Sequence, residues 1–322
     1  MSARWRTLGR IFDPNQHPLD FAPEGYAQSP QTLVLPDRVR IYFSTRSRDD
    51  GGKFVSHVAY VDFDRALRRV LDIAKAPVIS LGGLGCFDEH GIFPFNVLRD
   101  GERILAFTTG WNRRASVPTD AAIGLAISSD EGRSFEKVGC GPVLAPGLHE
   151  PFLVGDAFVL RLRERLHMWY IHGTRWITTN QSNKEEAERV YKIAHAVSDD
   201  AMSWQREGRQ IVPDRLGEDE CQALPTVIEH EGIYHMMFCY RAATDFRSNR
   251  ERAYRLGHAW STDLGQWQRD DDQWVLDRPD QGWDAEMMCY PHLFRVGAQI
   301  YLLYNGNQFG RGGFGLARLE TA

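Results

Sequence analysis

LPTVIEHEGIYHMMFCY, residues Leu224–Tyr240, reads as an alternating strand, a polar turn at Glu231 and Gly232, and a second strand rich in aromatic and apolar residues. The plan recurs four times: SPQTLVLPDRVRIYFST (Ser29–Thr45), FPFNVLRDGERILAFTT (Phe93–Thr109), DAFVLRLRERLHMWYIH (Asp156–His172) and YPHLFRVGAQIYLLYNG (Tyr290–Gly306). The second residue of each segment serves as an anchor. The anchors Pro30, Pro94, Ala157, Pro225 and Pro291 lie 64, 63, 68 and 66 residues apart. Self-similarity at this period predicts one repeat architecture that uses the whole chain, 1–322, as a single domain.

A third strand follows each hairpin, at Ser56–Phe63, Ala122–Ser129, Lys192–Asp199, Arg255–Thr262 and Phe314–Glu320. Three of these run into a recurrent turn. SSDEGRSF (Ser128–Phe135) is a full S-x-D-x-G-x-x-F match, and Ser198–Trp204 and Ser261–Trp267 are degenerate copies. In such an Asp-box the carboxylate accepts turn amides and the aromatic plugs the sheet edge, so Asp130, Asp200 and Asp263 read as structural. Fourth strands are expected at Pro77–Leu81, Pro142–Pro146, Gln210–Asp214 and Trp274–Pro279. The fifth unit lacks one, and Arg10–Pro14 resembles Trp274–Pro279. The expected fold is therefore all-β: a five-bladed β-propeller closed by the N-terminal strand completing the last blade. Leu67–Ala74 is expected to form a helical turn and Lys184–Val190 a polar loop.

The 322 residues carry 38 Lys+Arg against 43 Asp+Glu, a net charge of -5. That balance predicts neither nucleic acid nor an anionic membrane surface as partner. No apolar run reaches the roughly 20 residues of a membrane span, and MSARWR at the start carries no signal-peptide pattern. Five dispersed cysteines form no C-x-x-C pair and suit a reducing cytoplasm. The sequence leaves the oligomeric state open. His57, His195 and His258 recur on third strands, but no H-E-x-x-H or comparable spacing is present. No metal or cofactor is expected.

Five positions before three anchors stand Glu89, Glu220 and Glu286. Asp88 and Asp219 precede the first two, and Asp284 lies two before the third. The first unit offers only Glu24 near that place; the third offers Glu150, with Asp156 next to the anchor. In a propeller these positions would face one mouth of the central funnel. Clustered acids there could supply one protonated acid and one ionised base, the requirement of glycosidic cleavage; the alternative is a set of solvated acids at strand starts. After the second strands come Arg46, Trp111, Arg175, Arg241 and Asn305, suited to stacking on sugar faces and donating to hydroxyls.

These residues resemble the arabinanase–levansucrase–invertase superfamily, the five-bladed glycoside hydrolases of families 32, 43, 62, 68 and 130. FDEHGIFP (Phe87–Pro94), AIGLAIS (Ala122–Ser128), GWDAEMMCYP (Gly282–Pro291) and YNGN (Tyr304–Asn307) are similar to a loosely defined group of predicted sugar hydrolases within it. In family 43 an Asp on the first blade is the base, an Asp on the second tunes it, and a Glu on the third is the acid. Here Asp88 matches the second position and Glu150 lies near the third, whereas Gln28 and Ser29 stand near the first-blade anchor. The resemblance implies a carbohydrate-active enzyme, a glycoside hydrolase or a related glycosyl-transferring enzyme, acting on a small-molecule or oligosaccharide substrate. Asp88, Glu220 and Glu286 are the expected catalytic carboxylates. Arg46, Trp111, Glu150, Arg175, Arg241, Asp284 and Asn305 are the expected substrate-binding residues. The rival expectation is a non-hydrolytic propeller: a binding module, or an enzyme recruited to polysaccharide or natural-product assembly.

Overall fold

The computed structural model describes residues 3–181 and 184–320, with side chains 180–186 excepted. The described chain is all-β apart from one helical turn at Asn307–Gly310. Strand β1 (Arg4–Phe12) is followed by four antiparallel meanders. The first is β2 (Gln28–Val34), β3 (Arg38–Arg48), β4 (Phe54–Asp64) and β5 (Val70–Ile73). The second is β6 (Gly91–Asp100), β7 (Arg103–Arg113), β8 (Thr119–Ser128) and β9 (Glu136–Lys137). The third is β10 (Val154–Leu162), β11 (Arg165–Gln181), β12 (Lys184–Ser198) and β13 (Gln205–Arg206). The fourth is β14 (Glu220–His230), β15 (Ile233–Ala242), β16 (Arg255–Ser261) and β17 (Gln268–Arg269). The last sheet runs β18 (Cys289–Val296), β19 (Gln299–Asn305), β20 (Phe314–Glu320) and then β1, which pairs antiparallel with β20 from Arg4–Glu320 to Phe12–Phe314.

The first strand of each unit is buried on both faces over most of its length, whereas the short outermost strands β9, β13 and β17 are partly exposed. Buried first strands lie against each other, and side chains join their backbones. The Thr32 N–H donates to His292 Nε2 (3.0 Å), linking β2 to β18. Asn96 Nδ2 donates to Gln31 Oε1 (3.0 Å), and Asn96 Oδ1 accepts the Val159 N–H (3.0 Å), linking β6 to β2 and β10. Asp156 Oδ2 accepts the Leu224 N–H (3.2 Å) and Thr226 Oγ1 the Leu293 N–H (2.9 Å), linking β14 to β10 and β18. These bonds satisfy backbone donors that the strand ladders leave unpaired inside the core.

Every first hairpin has a register shift at its anchor: Gln28/Gln31, Ile92/Phe95, Gly155/Phe158, Ala223/Thr226 and Cys289/His292. In four of them the residue before the anchor takes a left-handed φ: Ser29 53°, Asp156 54°, Leu224 49° and Tyr290 56°. A bulge of this kind re-aims the side chain it carries, and a non-glycine there stores roughly 1–3 kcal/mol of strain.

The Asp-box turns form as expected. Asp130 Oδ1 accepts the Arg133 and Ser134 N–H groups (3.0 and 2.9 Å), and Asp200 and Asp263 do the same in their turns. Gly132, at φ +79°, is required twice over, since a Cβ there would stand 2.2 Å from the Tyr42 hydroxyl. Three local expectations are corrected. Leu67–Ala74 is not a helical turn but contains β5, after a turn at Leu67 (φ 57°). Lys184 onward belongs to the long strand β12 rather than a loop. The fourth strands precede the apolar runs assigned to them; in those runs Val78 and Ile211 donate single backbone bonds to Val58 and Ile193, and Leu144 forms an isolated antiparallel bridge with Ile123.

Candidate functional site

The bulges converge. Where the first strands begin and the second strands end, a cavity of about 370 Å³ is lined by residues from all five units. Phe93, Asp156, Leu224 and Tyr290, each the residue before its anchor, project into it, with Gln28 from the first unit. Aromatic walls come from Phe54, Trp111, Tyr191, Phe246 and Tyr254, and the cations are Arg46, Arg189, Arg241 and Arg247. Among the described lining residues Asp156 is the one carboxyl.

Asp156 is held from two sides. Its N–H donates to Thr109 Oγ1 (2.8 Å) and its carboxylate accepts the Leu224 N–H (3.2 Å). Burial pushes its carboxyl up to about 7; the Leu224 N–H and the Arg189 charge only partly offset this. A carboxyl balanced between its two protonation states near neutral pH can give or take a proton in a reaction. In the same lining, the Tyr191 and Tyr254 hydroxyls share a hydrogen bond of 2.5 Å. Among the described residues no group of three or more His, Cys, Asp or Glu side chains is placed to hold a metal ion.

Of the residues expected from sequence to bind substrate, Arg46, Trp111 and Arg241 line this cavity. The three expected catalytic carboxylates do not. Asp88 is buried and pairs with Lys137 on β9. Glu220 is buried and accepts Arg269 Nη1 (2.6 Å) on β17, Gln222 Nε2 (3.0 Å) and the N–H groups of Arg215 and Leu216 (2.9 Å each). Glu150 repeats the arrangement in the third unit, accepting Arg206 Nη1 on β13 and the Tyr170 hydroxyl, both at 2.5 Å. In three consecutive units an acid just before or at the start of the first strand thus meets the base at the second position of the outermost strand. Each pair clamps one edge of a sheet to the start of its innermost strand. That recurrence gives the periodic acids a structural account: a buried carboxylate stays where a cation and several donors compensate it.

The remaining expected residues also lie off the cavity. Glu286 is exposed, with its N–H on Asn307 Oδ1 (2.8 Å). Asp284 is buried and accepts the Tyr304 hydroxyl (3.0 Å). Arg175 pairs with Asp219. Asn305 is fully buried, accepting the Ser29 N–H (2.7 Å) and donating to the carbonyls of Ala27 (2.8 Å) and Gly313 (2.7 Å). Its amide braces the first unit against the last. Sequence reasoning noted Asp156 beside its anchor without choosing it as a site residue, and it missed Arg189, Tyr191, Tyr254 and Tyr290. The usable signal was the residue before each anchor, which is charged in one unit of five.

Comparison with known proteins gives relatives of two kinds. Uncharacterized protein Rv1502 of Mycobacterium tuberculosis H37Rv is 32% identical over 318 residues, covering 98% of this chain and 99% of the relative. Uncharacterized protein MT1551 of strain CDC 1551 matches equally. No protein-family profile matches the chain. Among solved structures, BT0996 in an RGII complex superposes with a TM-score of 0.73 at 15% identity, over 100% of this chain and 92% of that one. The family 43 enzyme from Xanthomonas citri complexed with xylose gives 0.66 at 15%, over 98% and 91%. A family 130 structure gives 0.69 at 11%, over 99% and 94%.

Proposed function

Since the chain belongs to the family of the Mycobacterium tuberculosis protein Rv1502 and shares its fold with glycoside hydrolases of families 43 and 130, we propose that it is a carbohydrate-active enzyme. In this reading its five sheets are the blades of one propeller domain, residues 1–322, closed by β1 in the last blade. The succession of links between first strands, with β18 bonded to β2, supports that arrangement. The central cavity takes a sugar.

One observation carries the functional reading: an aromatic-walled cavity lined from all five units holds, among its described lining residues, one carboxyl, and burial pushes that carboxyl up to about 7. Asp156 acts as the proton-transferring acid at a glycosidic oxygen. Trp111 and Tyr290 offer flat faces to the sugar ring, and the arginines donate to its oxygens. A carboxyl so placed serves glycosyl transfer or glycoside hydrolysis, and the second carboxylate of two-carboxylate hydrolysis is not among the described lining residues. The same reading sets the protein in the cytoplasm, where its five free cysteines are chemically at home.

The test is a screen of aryl glycosides and nucleotide sugars with product NMR, on the wild type and Asp156→Asn. Turnover that falls on the order of a hundredfold in the variant supports the assignment. Sugar binding without turnover supports the binding-module reading. Absence of both binding and turnover across the panel refutes the carbohydrate reading.

A further inference from the structure

Buried arginines elsewhere in this molecule are neutralised. Arg40, 1% exposed, makes two bonds of 2.7 Å to Asp62. Arg269 lies between Glu220 (2.6 Å) and Asp271 (3.1 Å). The cavity arginines differ. Arg241 is 2% exposed, yet its bonds go to the carbonyls of Ala242 (2.8 Å) and Ala243 (3.0 Å), and its Nε–H has no partner. Its guanidinium lies 3.5 Å from the Phe246 ring centre and 5.4 Å from those of Tyr191 and Tyr254. Arg46 is half-buried over Tyr26 and Phe54 (4.7 and 5.1 Å), again with an unpartnered Nε–H. Arg189 donates to the Thr119 hydroxyl (3.2 Å). Among the described residues no carboxylate forms an ion pair with any of these three; Arg247, at the rim, pairs with Glu188.

Desolvated guanidinium groups without counter-charge are unfavourable unless an anion completes them. Aromatic faces compensate only part of that charge. Asp156, the one acid among the described lining residues, cannot balance three cations. We infer that the sugar taken by this cavity carries an anionic group, a carboxylate or a phosphate, which seats on the Arg241 guanidinium with Arg46 and Arg189 beside it. The inference rests on the carbohydrate reading and narrows it to acidic or phosphorylated sugars. The planar fork of arginine suits either group, because both present two oxygens at matching spacing.

Calorimetric titration of the full chain tests this with glucuronate, galacturonate, glucose 1-phosphate and inorganic phosphate, against neutral glucose and galactose, at low and high salt. The anionic sugars should bind at least about tenfold more tightly than the neutral ones, with the gap shrinking as salt rises. Arg46→Gln should weaken the anionic sugars about tenfold more than the neutral ones, which lose only a hydroxyl contact. Arg241→Lys, which keeps the charge and loses the fork, should do the same if its melting is native-like; Arg46→Lys substitutes if Arg46→Gln does not fold. Binding of uronates alone identifies a carboxylate as the anion, and binding of glucose 1-phosphate with inorganic phosphate identifies a phosphate ester. Neutral sugars binding as tightly as charged ones would overturn the inference and leave the carbohydrate reading standing. Inorganic phosphate binding with no sugar of any kind would overturn both.

Discussion

Asp156 couples the site to the stability of the whole chain. An unfolded Asp ionises near 3.8, whereas this one, buried in the cavity wall, does so at about 7. Between those values the folded protein holds a proton that the unfolded chain has released. Folding stability therefore falls as pH rises from about 4 to about 7, by on the order of 4 kcal/mol, and is flat above. Asp156→Asn removes the titration and keeps an acceptor for the Leu224 N–H. Across that window the melting temperature of the wild type should drop relative to the variant. Buried histidines such as His292, pushed down to about 3, are present in both proteins and cancel in the comparison. Parallel melting curves from pH 4 to 8 would show that the carboxyl is already ionised in the fold. At this scale recurrence and placement in the cavity are separate signals. Periodic acids drew notice because they recur, yet recurrence is what a clamp repeated in each unit produces. The carboxyl in the cavity breaks the pattern: the residues equivalent to Asp156 are Ser29, Phe93, Leu224 and Tyr290.

The clamps act at the scale of the element. Strand β17 is two residues long and cannot hold itself to β16 by ladder bonds alone. Arg269 on it reaches across the sheet to Glu220 at the start of β14, and Glu220 also gathers the Arg215–Leu216 turn. Glu220→Gln keeps the size of the side chain and removes the charge. It should destabilise the fold by on the order of 2–3 kcal/mol, read by urea unfolding, while each folded molecule keeps its full sugar affinity. A variant of undiminished stability that had lost activity would return Glu220 to the catalytic role expected from sequence. Long hairpins were legible because alternation over two strands and a glycine turn is a strong local signal, as in Leu224–Tyr240. Strands of two residues leave no periodicity to read. Apolar runs such as Pro77–Leu81 were mistaken for them because burial, rather than ladder pairing, accounts for their composition: Val78 and Ile79 are each 3% exposed. The bulges were invisible for a different reason. A left-handed φ at Leu224 or Tyr290 is imposed by packing between units, against the local preference of those residues.

At the scale of the molecule, the first strand in sequence is held by the last. Strand β1 pairs with β20 along nearly its whole length, and its two ends are fixed by different neighbours. Trp5 packs edge-on against Trp274 at 5.6 Å, beside the fourth unit. Phe12, 2% exposed, stacks on Phe314 of β20 (5.3 Å) and touches Phe43 of β3 (5.2 Å), so one ring joins the last sheet to the first. Without β1, strand β20 becomes an unpaired edge carrying an apolar strip, the arrangement most prone to pair with another chain. Removal of residues 1–12 should therefore yield a protein that elutes as oligomers or aggregates and melts well below the full chain. Phe12→Ala separates the edge from the contact. It leaves the backbone ladder in place and empties the junction of β1, β3 and β20, which should lower stability by about 3–5 kcal/mol without oligomerisation. If closure by β1 holds the sheets in their order, both changes should also loosen the cavity and weaken sugar binding, although neither residue 5 nor residue 12 lines it. A truncated chain that stays monomeric, melts like the full chain and binds sugar unchanged would show that the remaining sheets hold together without β1, and the proposal of a propeller closed by its first strand would fail.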